Sequence, residues 1–278
     1  MKIILTTANA RYTHCAFGLR CLAAALKERG YETSIREFTI QQSAVEMAEA
    51  LLGSGPDVIG FGVYIWNVDL ITHVASIIRS VSPGTILVLG GPEMTENDGN
   101  ATFLEAADFI ISGEGEEALC GLIGRLAGGE LPASGYISEP PPALDTRPSP
   151  YALYTEEDIR NRIIYVESSR GCPYRCAFCL SSRDEKVRNI PLPVFFADMT
   201  LLLERGVRLF KFTDRTFNID DGRVVEILRF FLLRSMPEMQ LHFEIMPDRL
   251  SDRILEMMSA FPQGMLHLEL GVQSFSEE

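Results

Sequence analysis

Short runs of apolar residues alternate with amphipathic segments of helical periodicity along the first 130 residues. The apolar runs predict five strands, at 2–7, 33–38, 57–65, 85–89 and 108–112. The amphipathic segments predict four helices, at 17–29, 41–52, 68–80 and 114–127. Strands that are apolar along their whole length belong to sheets covered on both faces. Residues 1–130 are therefore predicted to form a doubly wound, Rossmann-like α/β domain with ligands at the carboxyl ends of its strands.

A second alternation begins after residue 150. Its strands are predicted at 163–168, 208–213, 240–245 and 266–271, with helices at 194–205, 222–235 and 248–260. Successive strand–helix units of this size predict part of a β/α barrel over residues 151–278. Five of the chain's 15 prolines lie at 140, 141, 142, 148 and 150. Because proline stiffens the backbone and removes a donor, residues 131–150 are predicted to be an extended linker.

Charge and apolar content narrow the class of protein. The chain has 25 basic and 38 acidic residues, a formal net charge of −13, which argues against non-specific binding to nucleic acid. The apolar runs are far shorter than the roughly 20 residues that span a bilayer. The N-terminus also lacks the features of a secretory signal. We therefore expect a cytoplasmic protein without a membrane partner, in which the six cysteines are thiols or metal ligands.

Three cysteines follow the first strand of the second alternation with the spacing Cys-x3-Cys-x2-Cys. They are Cys172, Cys176 and Cys179. Three thiolates on one short loop can bind three irons of a 4Fe–4S cluster and leave the fourth iron open. A structural zinc site usually needs a fourth protein ligand, and the next Cys or His is His242. The spacing therefore favours the cluster.

The residues around these cysteines resemble the radical S-adenosylmethionine (SAM) superfamily, through Gly171 and Pro173 beside the first cysteine and Phe178 before the third. The resemblance implies that SAM chelates the open iron. It further implies that the reduced cluster cleaves SAM to a 5′-deoxyadenosyl radical, with the protein supplying positioning and exclusion of water. An electron donor such as flavodoxin or ferredoxin is then expected as a partner.

The resemblance also implies three SAM contacts near the ends of later strands. Asp214 lies where the family holds the methionine amino group, although the usual glycines are missing, and a local pair with Arg215 is the alternative. Glu244 and Gln273 lie on strands similar to those of anaerobic coproporphyrinogen-type radical SAM enzymes. There the matching residues contact the methionine moiety and the ribose. A structural ion pair and a polar strand end are the respective alternatives.

The first domain resembles the cobalamin-binding domain of cobalamin-dependent radical SAM proteins. The residues that carry this resemblance, and the predicted cobalamin contacts, follow the strands: Asn9, Tyr64, Trp66, Gly90, Gly91, Gly113 and Gly115. Glycine in such turns lets the backbone approach a bulky corrin. Many cobalamin domains use an Asp-x-His-x-x-Gly motif, but Tyr12 precedes His14 here and Gly18 is four residues on. A base-off, His-off cobalamin is therefore expected.

The resemblance implies methyl transfer from cobalamin to an unactivated carbon of a small-molecule or natural-product substrate. Radical rearrangement or ring closure is one alternative. A methylthiotransferase-like enzyme with a second cluster on Cys15, Cys21 and Cys120 is another, although their spacing does not resemble that family. A non-catalytic cobalamin or iron–sulfur sensor is a third. The residues expected to contact SAM argue against a sensor.

The radical SAM barrel usually has six strand–helix units, and four strands fit before Glu278. We therefore expect a truncated barrel. Its last strand, 266–271, is predicted to have an unpaired edge and an exposed apolar surface.

Overall fold

The computed structural model describes residues 1–94, 107–132, 135–177, 179 and 186–271. The chain divides into two compact units, Met1–Tyr154 and Thr155–Glu278. No described helix has the length and apolarity needed to cross a bilayer.

The described part of the first unit contains one sheet of six strands. These are β1 (Ile3–Asn9), β2 (Thr33–Thr39), β3 (Val58–Gly62), β4 (Ile86–Gly90), β5 (Phe109–Ile111) and β6 (Tyr136–Ile137). They lie in the order β2-β1-β3-β4-β5-β6, and every neighbouring pair is parallel. All seven residues of β1 are buried, as expected for a central strand with both faces covered.

Helices cover both faces of this sheet. They are α1 (Phe17–Glu28), α2 (Ala44–Leu52), α3 (Val68–Val81) and α4 (Gly115–Ala127). Apolar residues of α2 and α3 form one core with Ile4 and Ile59, whereas α1 and α4 form a second core with the alternate strand residues Ile3 and Val58. Two cores on opposite faces of one parallel sheet confirm the predicted doubly wound fold.

Part of the segment predicted as an extended linker is a strand of the first sheet. Tyr136 and Ile137 within residues 131–150 form β6, which pairs with β5 through Ile110 and Ile111. The side chain of Ile137 is 7% exposed and completes the core below α4. The division between the units falls after Tyr154, because Tyr151 and Tyr154 are fully buried in the first unit.

The described part of the second unit contains a parallel sheet in the order β12-β11-β10-β7. Its strands are β7 (Ile164–Val166), β10 (Leu209–Phe212), β11 (Gln240–Ile245) and β12 (Leu266–Leu270). Two short strands, β8 (Ser169–Arg170) and β9 (Arg188–Asn189), pair antiparallel. The helices are α5 (Glu156–Asn161), α6 (Leu192–Glu204), α7 (Asp221–Leu232) and α8 (Asp252–Ser259).

The two faces of this second sheet differ in chemistry. One face packs phenylalanines against the helices, with the rings of Phe212 and Phe243 centred 4.5 Å apart and fully buried. The other face carries charged side chains at alternate positions, such as Lys211 and Glu244. An apolar face against helices and a polar face opposite is what one side of a partial barrel requires.

The last strand lies at an edge of the sheet, as predicted. Within the described residues, β12 pairs on one side only, with β11. Leu268 and Leu270 point to the same side as the buried Phe243 but are 37% and 45% exposed.

One glycine fixes how β3 and β4 approach each other at their carboxyl ends. The backbone N–H of Val63 donates to the carbonyl of Gly90 at 2.7 Å. Gly91 has a φ of +119°, and a β-carbon there would lie 2.4 Å from the Val63 carbonyl oxygen. Any side chain at this position must therefore displace backbone.

We expect Gly91→Ala to lower the free energy of unfolding by about 2 kcal/mol, because it combines a clash with an unfavourable φ. The matched control is Gly121→Ala, at an exposed position of α4 where a β-carbon would meet nothing within 4 Å. That substitution should be neutral or stabilise by up to about 1 kcal/mol. Urea unfolding measures both, and equal stability of the two variants would contradict the prediction.

Candidate functional site

The three cysteines lie on the loop that follows β7 and β8. Cys172 is 7% exposed, and Cys176 and Cys179 are half-buried. The backbone N–H of Cys179 donates to the carbonyl of Cys176 at 3.0 Å, which closes a turn between them. The Sγ atom of Cys172 lies 3.6 Å from Oγ1 of Thr216, just beyond β10. The first thiol therefore lies at the carboxyl edge of the sheet.

The three cysteines of the loop are thiols that could bind a cluster. All six cysteines are described, and none forms a disulfide. Among the described residues, no three Cys, His, Asp or Glu side chains are grouped closely enough to form a metal site. The three thiols are therefore not assembled into a ligand set, and such sets commonly form only as the metal binds. Their chemistry fits a 4Fe–4S cluster, because thiolates are its usual protein ligands.

Asp214 follows β10 and is 1% exposed. Its Oδ1 accepts hydrogen bonds from the hydroxyls of Ser168 and Ser169, at 2.6 and 2.7 Å. Its Oδ2 accepts from the backbone N–H of Ser168 at 2.9 Å. Burial raises the pKa of Asp214, and these hydrogen bonds oppose the shift. Two serines at the start of the cysteine loop thus bond the carboxylate, in place of a local pair with Arg215. The contact of Asp214 with SAM stays a prediction.

Glu244 lies on the polar face of the second sheet, directly opposite Glu269 on β12. Burial raises the pKa of Glu244, and the charge of Glu269 adds to the shift. Glu269 in turn lies 3.0 Å from Nε2 of His242 and 3.6 Å from Nζ of Lys211. The position of Glu244 near the carboxyl end of β11 suits a ligand contact, and its contact with SAM stays a prediction.

Gln273 and Phe178 lie outside the described residues.

The structure shows a buried residue that the sequence analysis missed. Asn218 is 1% exposed, donates to the carbonyl of Met246 and accepts from its backbone N–H, both at 2.8 Å. This pair joins the segments that follow β10 and β11. Nothing in the sequence distinguishes Asn218 from an ordinary turn residue.

In the first unit, Tyr64 and Trp66 form an aromatic platform in the turn after β3. Their rings stack with centroids 4.6 Å apart and planes 6° apart, and Trp66 is 46% exposed. Its Nε1 donates to the carbonyl of Ala8 at 3.2 Å. The buried Asn67 holds the turn by accepting from the N–H of Tyr64 and donating to the same carbonyl of Ala8. An exposed flat surface at the carboxyl edge suits stacking on a planar cofactor.

Asn9 belongs to a buried polar network rather than to an open surface. Its Nδ2 donates to Glu37 at 3.0 Å and to the carbonyl of His14 at 2.9 Å. Glu37 also accepts from Nη2 of Arg20 at 2.9 Å and from the backbone N–H of Ala16. The amide nitrogen of Asn9 is thus bonded within the protein. The contact of Asn9 with a cofactor stays a prediction. The network fixes the loop that contains His14.

The predicted cofactor glycines fall into two groups. Gly91 packs against Val63, and a β-carbon on Gly115 would lie 3.1 Å from Leu22, so both are constrained by the protein itself. Gly113 has a φ of +83°, and no described atom lies within 4 Å of the position of a β-carbon. Gly113 is therefore open at the carboxyl edge. Its contact with a cofactor, and the His-off state expected for His14, stay predictions.

The fold and these two sites define a class of protein. One unit is a doubly wound domain with an aromatic platform at its ligand-binding edge, and the other is a parallel α/β unit with a three-cysteine loop. Family models identify both. Residues 3–123 match the B12 binding domain, and residues 166–278 match the Radical SAM superfamily. Along the chain, the match to the B12 binding domain thus precedes the match to the Radical SAM superfamily.

Two curated methyltransferases are similar in sequence to part of this chain. The chain is 31% identical over 159 residues to the 2-(S-pantetheinyl)-carbapenam-3-carboxylate methyltransferase of Streptantibioticus cattleyicolor. It is also 31% identical over 162 residues to the cobalamin-dependent radical SAM methyltransferase TokK of Streptomyces tokunonensis. Each alignment covers 48% of this chain and 23% of the relative. The aligned part of the chain thus spans less than a quarter of the length of either relative.

A solved structure has the same fold. The radical SAM methyltransferase TsrM from Kitasatospora setae, with tryptophan and a SAM analogue bound, superposes with a TM-score of 0.77. The match covers 99% of this chain and 60% of TsrM, at 17% sequence identity. At that identity, the likeness establishes the shared architecture.

The buried network around Glu37 gives a direct test of what orders the His14 loop. We expect Glu37→Gln to lower the free energy of unfolding by about 3 kcal/mol, because it leaves the charge of Arg20 buried without its carboxylate. The side chains of Arg20 and Glu37 are only 3% and 7% exposed. As control, Glu117→Gln removes the exposed pair with Arg29 and should cost less than about 1 kcal/mol. Similar losses in the two variants would show that the buried pair has no special role.

Proposed function

We propose that this protein is a cobalamin-dependent radical SAM methyltransferase that acts on an unactivated carbon of a small-molecule or natural-product substrate. The observation that carries the proposal is the three-cysteine loop after the first strand of a radical SAM domain that follows a B12-binding domain. The methyltransferases similar to it support the same reaction class. Radical rearrangement and ring closure need the same two cofactors and are outcomes of the test below.

Each domain has residues suited to its cofactor. In the proposal, Cys172, Cys176 and Cys179 bind the cluster, and Glu244 and Gln273 contact SAM. In the first domain, Tyr64 and Trp66 stack against the corrin, and the space beside Gly113 lets the corrin approach the backbone. When bound, the cluster supplies an electron for cleavage of SAM, and cobalamin carries the methyl group.

The remaining cysteines do not favour a methylthiotransferase. Cys15, Cys21 and Cys120 are all buried, and Cys120 packs in the core between α1 and α4. A buried thiol in such a core behaves as a small apolar side chain. Burial raises the pKa of Cys120, which disfavours the thiolate that a cluster would need.

We also propose an electron donor and a compartment for this protein. We include a flavodoxin or ferredoxin as the one-electron donor, because the cluster must be reduced before it can pass an electron to SAM. A cytoplasmic location agrees with cysteines that form no disulfide.

The test follows the methyl group of SAM. The protein is reconstituted anaerobically with iron, sulfide and cobalamin. It is then given reduced flavodoxin as the electron donor, SAM with a deuterated methyl group and a small-molecule extract of the source organism. We expect 5′-deoxyadenosine, deuterated methylcobalamin and at least one deuterated small molecule by mass spectrometry. Cys176→Ala should abolish SAM cleavage, whereas the buried control Cys120→Ala should retain it.

The other outcomes separate the alternatives. Formation of 5′-deoxyadenosine without transfer of the label would favour rearrangement or ring closure. No cleavage of SAM by a protein that binds four irons would favour a sensor. Zinc in place of iron on the three cysteines would overturn the proposal.

A further inference from the structure

The two ends of the cysteine loop are paired with each other. The loop runs between β8 and β9, which pair through Ser169 with Asn189 and Arg170 with Arg188. The backbone N–H of Ile190 adds one hydrogen bond to the carbonyl of Ser168, at 2.9 Å. A two-residue antiparallel ladder is marginal by itself, so its ends need further support.

Arg223, on α7, contacts both ends of the loop with one atom. Its Nη2 donates to the carbonyl of Ser168 and to the carbonyl of Ile190, each at 2.7 Å. Ser168 precedes the cysteines and Ile190 follows them. Hydrogen bonds from a guanidinium are charge-assisted and stronger than those between neutral groups. This side chain therefore bridges the loop entrance and the loop exit.

Asp214 holds the loop entrance from the other side. Its carboxylate accepts from the N–H and the hydroxyl of Ser168 and from the hydroxyl of Ser169. The N–H, hydroxyl and carbonyl of Ser168 are therefore all bonded, to Asp214, Arg223 and Ile190. Cys172 comes only four residues later.

We propose that Asp214 and Arg223 are positioning residues that clamp the two ends of the cysteine loop and thereby limit the conformations from which Cys172, Cys176 and Cys179 converge on one cluster. The clamp rests on the proposed function only in that the loop binds a cluster. It assigns to the Asp214 carboxylate a structural partner, Ser168, in place of SAM. Fixing the ends of a loop reduces the conformations that must be given up when its ligands converge.

The first test needs no cluster. In the protein without iron, Arg223→Met should speed hydrogen exchange of the Ser168 and Ile190 amides by at least about tenfold, because the loop ends can then open locally. Amides of β11 should exchange as before. The matched control is Arg229→Met, on the same helix, where an exposed arginine pairs with Glu226. Unchanged exchange at the loop ends in Arg223→Met would overturn the clamp.

The second test concerns the thiols. After anaerobic reconstitution and desalting, wild type and Arg229→Met should hold about four irons per chain, the content of one 4Fe–4S cluster. Arg223→Met should lose at least half of this iron, and Arg223→Lys should recover part of it, since lysine keeps the charge but not the planar fork. Full iron in Arg223→Met would overturn the positioning role. Absence of iron from wild type would overturn the proposed function and the positioning of thiols, while the exchange result still decides the clamp.

The third test separates the two roles of Asp214. As a positioning residue, Asp214→Asn should lower iron content, and the double variant Ser168→Ala/Ser169→Ala should reproduce the loss. As a SAM contact, Asp214→Asn should keep its iron and its loop-end exchange but weaken SAM binding by about tenfold or more. That second pattern would overturn the proposal.

Discussion

Every neighbouring pair of strands in the two principal sheets is parallel, and this one constraint determines where the chemistry lies. Parallel strands all end at the same edge of their sheet, so the segments that follow them converge there. In the first unit, the aromatic platform of Tyr64 and Trp66 and the open Gly113 lie at this edge. In the second unit, Cys172 and Asp214 do. Both sites combine segments that are distant in sequence, because the parallel strands bring these segments to one edge.

Backbone groups at this edge need hydrogen-bond partners, and buried polar side chains provide them. Backbone groups beyond the last strand residue lose their ladder partners and must be satisfied in another way. Glu37, Asp214 and Asn218 each bond backbone groups of a segment that follows another strand. Asn67 bonds the carbonyl of Ala8 near the end of β1. The loops that present the candidate ligands are therefore tied to the sheet by specific hydrogen bonds. A change in one of these residues should act on a loop before it acts on the core.

Patterns within one segment could be predicted, and contacts between segments could not. The apolar runs located β1 and β3, and the spacing of the cysteines indicated the cluster loop. The two-residue β6 was missed because its pattern is too short and lies among prolines. The partners of Asp214 are 45 and 46 residues away, and those of Arg223 are 33 and 55 residues away. No periodicity in the sequence reports such pairs, so nothing in the sequence singles out Arg223. The contact of Asp214 with SAM rests on the family resemblance alone and stays a prediction.

The central claim is that three thiolates of one tethered loop bind a 4Fe–4S cluster and leave one iron open to SAM. Electron paramagnetic resonance of the reduced, reconstituted protein tests this claim most directly. We expect the signal of a reduced 4Fe–4S cluster whose g values shift when SAM is added, because SAM binds the open iron. A cluster signal that SAM leaves unchanged would contradict the account.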